Sequence, residues 1–365
     1  MPIRVAVAGT GMIADVAHIP AWKALGERAE IVGVFNRRRS RAETVAAKHR
    51  IPRVYDDLAS MLADARPDVV SVCTPNVSHA PIVRACLEAG AHVVCEKPLT
   101  TTRTDATELY RLAETSSLQL VPAQTLRFAP EIEAAHRIAS TGMLGEVYYA
   151  EAAALRRRGV PTWGTFHVAA ESGGGPLFDL GVHALDAMLW IMGNPRVVAA
   201  SGATYRKLAH RDEGLVTSLA SSGAPAGVDD PRPFDPADFD VEDLGSGFLR
   251  FENGATMVLR ASWAANVPDG FARPVIVGTD AGMTLNPLSI VGRTGAYQSD
   301  TVPVVPDAPD IPFHGHHRLM QHVAALIEGD EQPIVRPAEV LNVLGALEAL
   351  YASAGRGEEV RVEAE

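Results

Sequence analysis

Cysteine is scarce in this chain: three residues, Cys73, Cys86 and Cys95, in 365. The odd count and the lack of any Cys-x-x-Cys spacing argue against a disulfide framework and a zinc site. Positive charge is also short. Lys and Arg number 33 against 44 Asp and Glu, a formal net charge of −11, whereas a surface that tracks nucleic-acid phosphates or an anionic membrane needs a basic excess. Neither is expected as a partner, and the local cluster Arg37, Arg38, Arg39, Arg41 is the exception to the acidic balance. Apolar runs are strand-length and broken by charges, far below the roughly 20 residues that span a bilayer. With no basic-then-apolar leader at the start, the expectation is a soluble cytoplasmic protein. The chain does have 47% hydrophobic and 21% charged residues, over a length that suggests two domains.

Residues 3–14 organise the rest. The apolar run Ile3-Arg4-Val5-Ala6-Val7-Ala8 meets Gly9-Thr10-Gly11 and continues into helix-compatible Met12-Ile13-Ala14. This reads as strand, tight turn, helix. Gly9 lets the chain reverse, Gly11 lets main-chain N–H groups approach a pyrophosphate at the positive end of the helix, and Ala14 stays small for close packing. A second buried strand, residues 31–35, ends at Asn36. An acidic residue near this point holds the ribose hydroxyls of NAD, and an arginine accommodates the extra phosphate of NADP. Neutral Asn36 followed by Arg37 and Arg38 therefore favours NADP over NAD.

Two further strands, residues 68–73 and 92–95, deliver Thr74-Pro75-Asn76 and Glu96-Lys97-Pro98 to one edge. Open α/β sheets bind ligands at the carboxyl ends of their strands, so both loops are expected to line the cofactor. His79 reads as the first turn of the following helix, close to the same edge. Glu96 is placed to hold the Lys97 ammonium. These segments, at these separations, resemble the glucose-fructose oxidoreductase, inositol dehydrogenase and rhizopine-catabolism family, abbreviated Gfo/Idh/MocA. The Glu96-Lys97-Pro98 triplet is the most specific match. The resemblance implies an amino-terminal Rossmann domain over residues 1–123 and an α+β substrate-binding and oligomerisation domain over 124–365. The cofactor group it implies is Gly9, Thr10, Gly11, Met12, Ile13, Asn36, Arg37, Arg38, Thr74, Pro75, Asn76, His79, Glu96 and Lys97.

The remaining two thirds begin with a helix at 130–140, with Ile132 and Ile138 inward. A strand-rich region follows from Glu146, and its best hairpin spans 243–263 around Glu252-Asn253-Gly254, where Asn and Gly accept a tight turn. Few helices intervene, so a large, mostly antiparallel open sheet is expected. Its second face looks too apolar for water, which points to a homodimer or homotetramer. Residues 206–240 lose all periodicity and read as a mobile loop near a site mouth. Two amphipathic helices, 317–327 and 338–354, close the chain.

Ser172-Gly173-Gly174-Gly175-Pro176 leads into a helix carrying Asp179 and His183, whose i, i+4 spacing points both side chains one way. Histidine suits proton transfer near neutrality, and an aspartate can orient it or hold a substrate hydroxyl. Taken alone, the pair reads more readily as a capping aspartate and a core histidine. The family resemblance implies that Lys97, Asp179 and His183 form the active site, with His183 as acid/base. Arg127, Arg156, Trp163 and His167 fall where family substrate loops lie. His316, from the run His314-Gly315-His316-His317, is a further substrate candidate, and no metal is expected. The implied activity is an NAD(P)-dependent dehydrogenase of a sugar, inositol or related polyol. A glycosidase that oxidises its substrate transiently and a cofactor-sensing protein without catalysis are the alternatives.

Overall fold

The apolar run near the amino terminus forms β1 (Ile3–Ala8), buried along almost its whole length, as expected of a parallel strand covered on both faces. With β2 (Ala29–Phe35), β3 (Val54–Tyr55), β4 (Val69–Val72), β5 (His92–Cys95) and β6 (Leu120–Pro122) it builds a sheet in the order β3-β2-β1-β4-β5-β6. Every pairing is parallel. This is the doubly wound dinucleotide-binding order, whose reversal beside β1 opens a crevice at the carboxyl ends of β1 and β4. The computed structural model describes residues 1–211, 235–268 and 273–363.

The chain divides into two compact units, Met1–Phe128 with Pro309–Pro337, and Ala129–Ala308 with Ala338–Glu365. The first unit thus runs to Phe128 and resumes at Pro309. The return supplies core: Leu319, Met320 and Val323 of the helix His314–Glu328 pack with Ile19 and Trp22 of the first unit. Trp22 is fully buried, and its indole N–H donates to Ser71 Oγ at 2.7 Å, so the large ring is buried without an orphaned donor.

In the second unit, β7 (Val147–Leu155), β8 (Val197–Tyr205), β9 (Leu244–Phe251), β10 (Thr256–Ser262), β11 (Val275–Gly278), β12 (Gly282–Thr284), β13 (Ser289–Thr294), β14 (Tyr297–Thr301) and β15 (Val360–Arg361) form one sheet. Its order is β14-β13-β12-β11-β7-β10-β9-β8-β15, antiparallel except where β10 runs parallel to β7. The expected hairpin joins β9 to β10, with Gly254 at φ +85° and Asn253 Oδ1 accepting the Ala255 N–H. Ala150, Leu249, Met257, Leu259 and Ile276 face inward. They pack with Leu185, Met188 and Leu189 of the helix Val182–Ile191, and with Leu347 and Leu350 of the helix Pro337–Arg356.

The helix expected at 130–140 forms as Pro130–Ser140, with Ile132 and Ile138 packed partly buried against this core. Most of the loop expected at 206–240 lies outside the described residues. Its described ends are anchored: Asp243 accepts the N–H groups of Lys207, Leu208 and Ala209, and Arg206 donates to Phe239 O.

Candidate active site

In the first unit the glycine turn follows β1. Gly9 has φ +92°, and a Cβ there would stand 2.6 Å from Cys73 O, so both backbone conformation and the approach of β4 demand glycine. A Cβ on Gly11 would meet nothing within 4 Å, so the space beside this residue is open. Asn36 turns toward this loop: its Nδ2 donates to Thr10 Oγ1 at 2.8 Å and its Oδ1 accepts the Arg38 N–H at 2.9 Å. The amide thus braces the glycine turn, and Arg37 and Arg38 stand exposed beside it. Arg39 pairs with Glu43 and Asp56 on the surface, contacts worth at most about 1 kcal/mol each.

β5 ends at Cys95, and the next side chain points into a buried cluster. Glu96 Oε1 accepts His18 Nε2 at 2.9 Å and His316 Nε2 at 3.1 Å, and Oε2 accepts the Lys97 N–H at 3.2 Å. All three side chains are buried. Burial pushes the carboxyl pKa up, but the two imidazoles outweigh it and hold Glu96 well below the usual carboxylate range. Burial pulls His18 down against the pull of Glu96.

Leaving a buried carboxylate without one of its hydrogen-bond donors costs about 1.5–3 kcal/mol, so this cluster outweighs the surface pairs as a determinant of the loop. The expected contact between Glu96 and the Lys97 ammonium is replaced by one to the Lys97 main chain. His316, expected among substrate contacts, bonds to Glu96 through Nε2. The ligand-bearing atoms of His18, Glu96 and His316 lie within 4.8 Å of one another, a spacing that the hydrogen bonds account for. The three cysteines are buried, and burial raises their thiols, Cys86 to about 12.

His79 has neither ring nitrogen turned to solvent: Nδ1 lies 2.8 Å from Pro98 O and Nε2 2.8 Å from Thr74 O. Arg127 is 2% exposed and donates to Ile334 O at 3.0 Å, which makes it a main-chain strut in the first unit.

In the second unit the Ser172–Pro176 turn is crowded. A Cβ on Gly174 or Gly175 would run into Tyr351 and Glu242, so close packing alone requires these glycines. Glu242 accepts the Gly175 and Leu177 N–H groups and the Tyr351 hydroxyl, capping the start of the site helix. That helix opens with a π-helical segment, Leu177–Gly181, before Val182–Ile191. Asp179 stands on the π segment and His183 on the first α turn, both half-buried. π segments inside helices frequently mark functional positions; the other one among the described residues, Ala14–His18, carries His18.

Asp179 Oδ2 accepts the Trp263 indole N–H at 2.8 Å. Trp263 is fully buried among Val160, Phe239 and Val241, so the carboxylate is aimed by a rigid ring. Sequence reasoning missed Trp263. The available signal was that a buried indole needs an acceptor. Of the remaining candidates, Arg156 donates to Gly159 O, Trp163 packs edge-on to Phe166 at 4.8 Å, and His167 faces the Phe239 ring. Lys97 belongs to the first unit, and Asp179 and His183 to the second.

Comparison with known proteins bears on both units. The sequence model described as "Oxidoreductase family, NAD-binding Rossmann fold" matches residues 3–124, and the GFO/IDH/MocA C-terminal domain model matches residues 132–284. The chain belongs to the Gfo/Idh/MocA oxidoreductase family.

Among Gfo/Idh/MocA relatives, D-glucoside 3-dehydrogenase of Escherichia coli K12 is 37% identical over 79% of this chain and 78% of its own length. D-xylose 1-dehydrogenase (NADP(+)) 2 of Haloferax volcanii is 27% identical over 98% of this chain and 99% of its own. The crystal structure of GenD2 from gentamicin A biosynthesis, in complex with NAD, aligns with a TM-score of 0.78 at 26% identity, covering 100% of this chain and 97% of that one. Among the described residues no helix is long and apolar enough to cross a membrane.

Proposed function

We propose that this Gfo/Idh/MocA member is a cytoplasmic NAD(P)-dependent dehydrogenase that oxidises a secondary hydroxyl of a sugar or related polyol, with a D-glucoside as the first substrate class. The observation that carries the reading is the Asp179–His183 pair on one helix, its carboxylate aimed by Trp263. A sensor without catalysis has no use for an oriented acid/base pair. The 37% identity to D-glucoside 3-dehydrogenase supplies the substrate class. The crevice beside β1, the open space over Gly11 and the loops after β4 and β5 fit a dinucleotide. Bound there, it supplies the hydride acceptor.

His183 takes the proton of the substrate hydroxyl, Asp179 holds its ring or a neighbouring hydroxyl, and Lys97 stabilises the developing alkoxide. In the reverse direction His183 protonates the ketone oxygen. NADP is favoured over NAD: no carboxylate stands at the end of β2, the Asn36 amide is engaged with Thr10 and the Arg38 N–H, and Arg37 and Arg38 follow it directly.

Purified protein offered glucosides, glucose, xylose and inositol with each cofactor, followed by nicotinamide absorbance, should show net reduction with at least one sugar and a higher kcat/KM with NADP+. Glycoside cleavage without net reduction would assign transient oxidation instead. Cofactor binding with no turnover on any sugar would assign the sensor.

The outer face of the second-unit sheet supports association. Phe248, Val258, Val275 and Val277 are half-buried around Tyr149 and the Glu151–Arg260 ion pair. We expect a homodimer or homotetramer through this face; light scattering that returned a monomer across working concentrations would remove the assignment.

A further inference from the structure

The two loops at the cofactor edge are joined by one buried side chain. His79 opens the helix His79–Glu88 and is 0% exposed. One ring nitrogen lies 2.8 Å from the carbonyl of Thr74, after β4, and the other 2.8 Å from the carbonyl of Pro98, after β5. Carbonyl oxygens only accept, and a neutral imidazole carries one N–H and one bare lone pair. A lone pair facing a carbonyl oxygen at that distance repels it. Holding both carbonyls at once therefore takes both N–H groups, which only the imidazolium has.

We propose that His79 is a positioning residue: as an imidazolium it straps the Thr74 and Pro98 loops together, sets the cofactor edge, and so takes up a proton as the dinucleotide binds. The inference rests on the reading of these loops as the cofactor edge. The charge has company. Glu96, ionised between its two histidines, favours the imidazolium and Lys97 opposes it.

Burial is the largest influence and pulls His79 below the ordinary 6.5, against the two carbonyls. The two-strap state is therefore populated as pH falls through a value under 6.5 and is lost above it, when one carbonyl is released. A ligand that needs both loops in place binds more tightly on the acid side and raises the ring's affinity for its proton by the same factor.

The test uses the full-length protein with NAD+, because the extra phosphate of NADP+ itself titrates near pH 6. Calorimetric Kd values should tighten by about three- to tenfold from about pH 7.5 to about pH 5.5 in the parent. In His79→Gln, where one amide replaces two opposed donors, binding should be weaker and flat across that range. With 15N-histidine labelling, the His79 signals, assigned by their loss in the variant, should move toward the common imidazolium position on acidification and further on adding NAD+.

A ring that stays a neutral tautomer throughout the range, with and without NAD+, overturns the proposal, as does an identical pH profile in parent and variant. Should the variant fail to fold, the parent's NAD+ affinity and nitrogen shifts, both followed against pH, decide alone. Should neither cofactor bind, the functional reading falls. The ligand-free titration still separates a ring that charges on acidification, which supports the strap, from one that never does.

Discussion

His183→Ala should lower kcat by about 10²–10⁴-fold, the usual contribution of a positioned acid/base, while leaving NAD(P) affinity nearly unchanged. The substitution falls on the first α turn of Val182–Ile191, where alanine is the best helix former. The helix should persist, as a melting curve and circular dichroism would check. His183→Gln keeps hydrogen bonding but cannot cycle a proton, so it should be as slow as alanine. Recovery of turnover in the glutamine variant would show a contact role instead. Joint loss of turnover, cofactor binding and thermal stability would show that His183 is a folding residue.

Lys97→Met should lower kcat by about 10²–10³-fold with a smaller change in substrate KM, because a cation on a developing alkoxide acts mainly in the transition state. Methionine keeps the length of the stem and removes the charge. The main-chain N–H of residue 97 still reaches Glu96 Oε2, so the loop stays anchored. Lys97→Arg keeps the charge but not its compact shape and should recover part of the rate. A KM effect with kcat intact would demote Lys97 to uniform substrate binding.

The parts of this molecule that follow from local chemistry were legible from the sequence. β1 with its glycine turn and the Asn253-Gly254 hairpin announce themselves through periodicity and positive-φ residues.

What was not legible is long-range. His18 and Glu96 are 78 positions apart, Glu96 and His316 220, and Asp179 and Trp263 84; no window of sequence contains both members. The π segments escape for a different reason: their i→i+5 spacing departs from the 3.6 period on which helix reading rests. Glu96 shows how this misleads. Adjacent to a lysine in sequence, it invites an ion-pair reading, yet Oε1 is taken by imidazoles that arrive from elsewhere and Oε2 by the Lys97 main chain.

The helix His314–Glu328 puts a constraint on how this chain can be dissected. Because Leu319, Met320 and Val323 complete the packing around Trp22, a gene fragment stopped at Phe128 would encode a nucleotide fold with part of its interior laid bare and Glu96 stripped of one imidazole. An autonomous half would need residues 309–337 spliced back on through a linker. Evolution by swapping one carboxyl-terminal module for another would likewise have to carry this helix along, or replace it with one that fits the same groove.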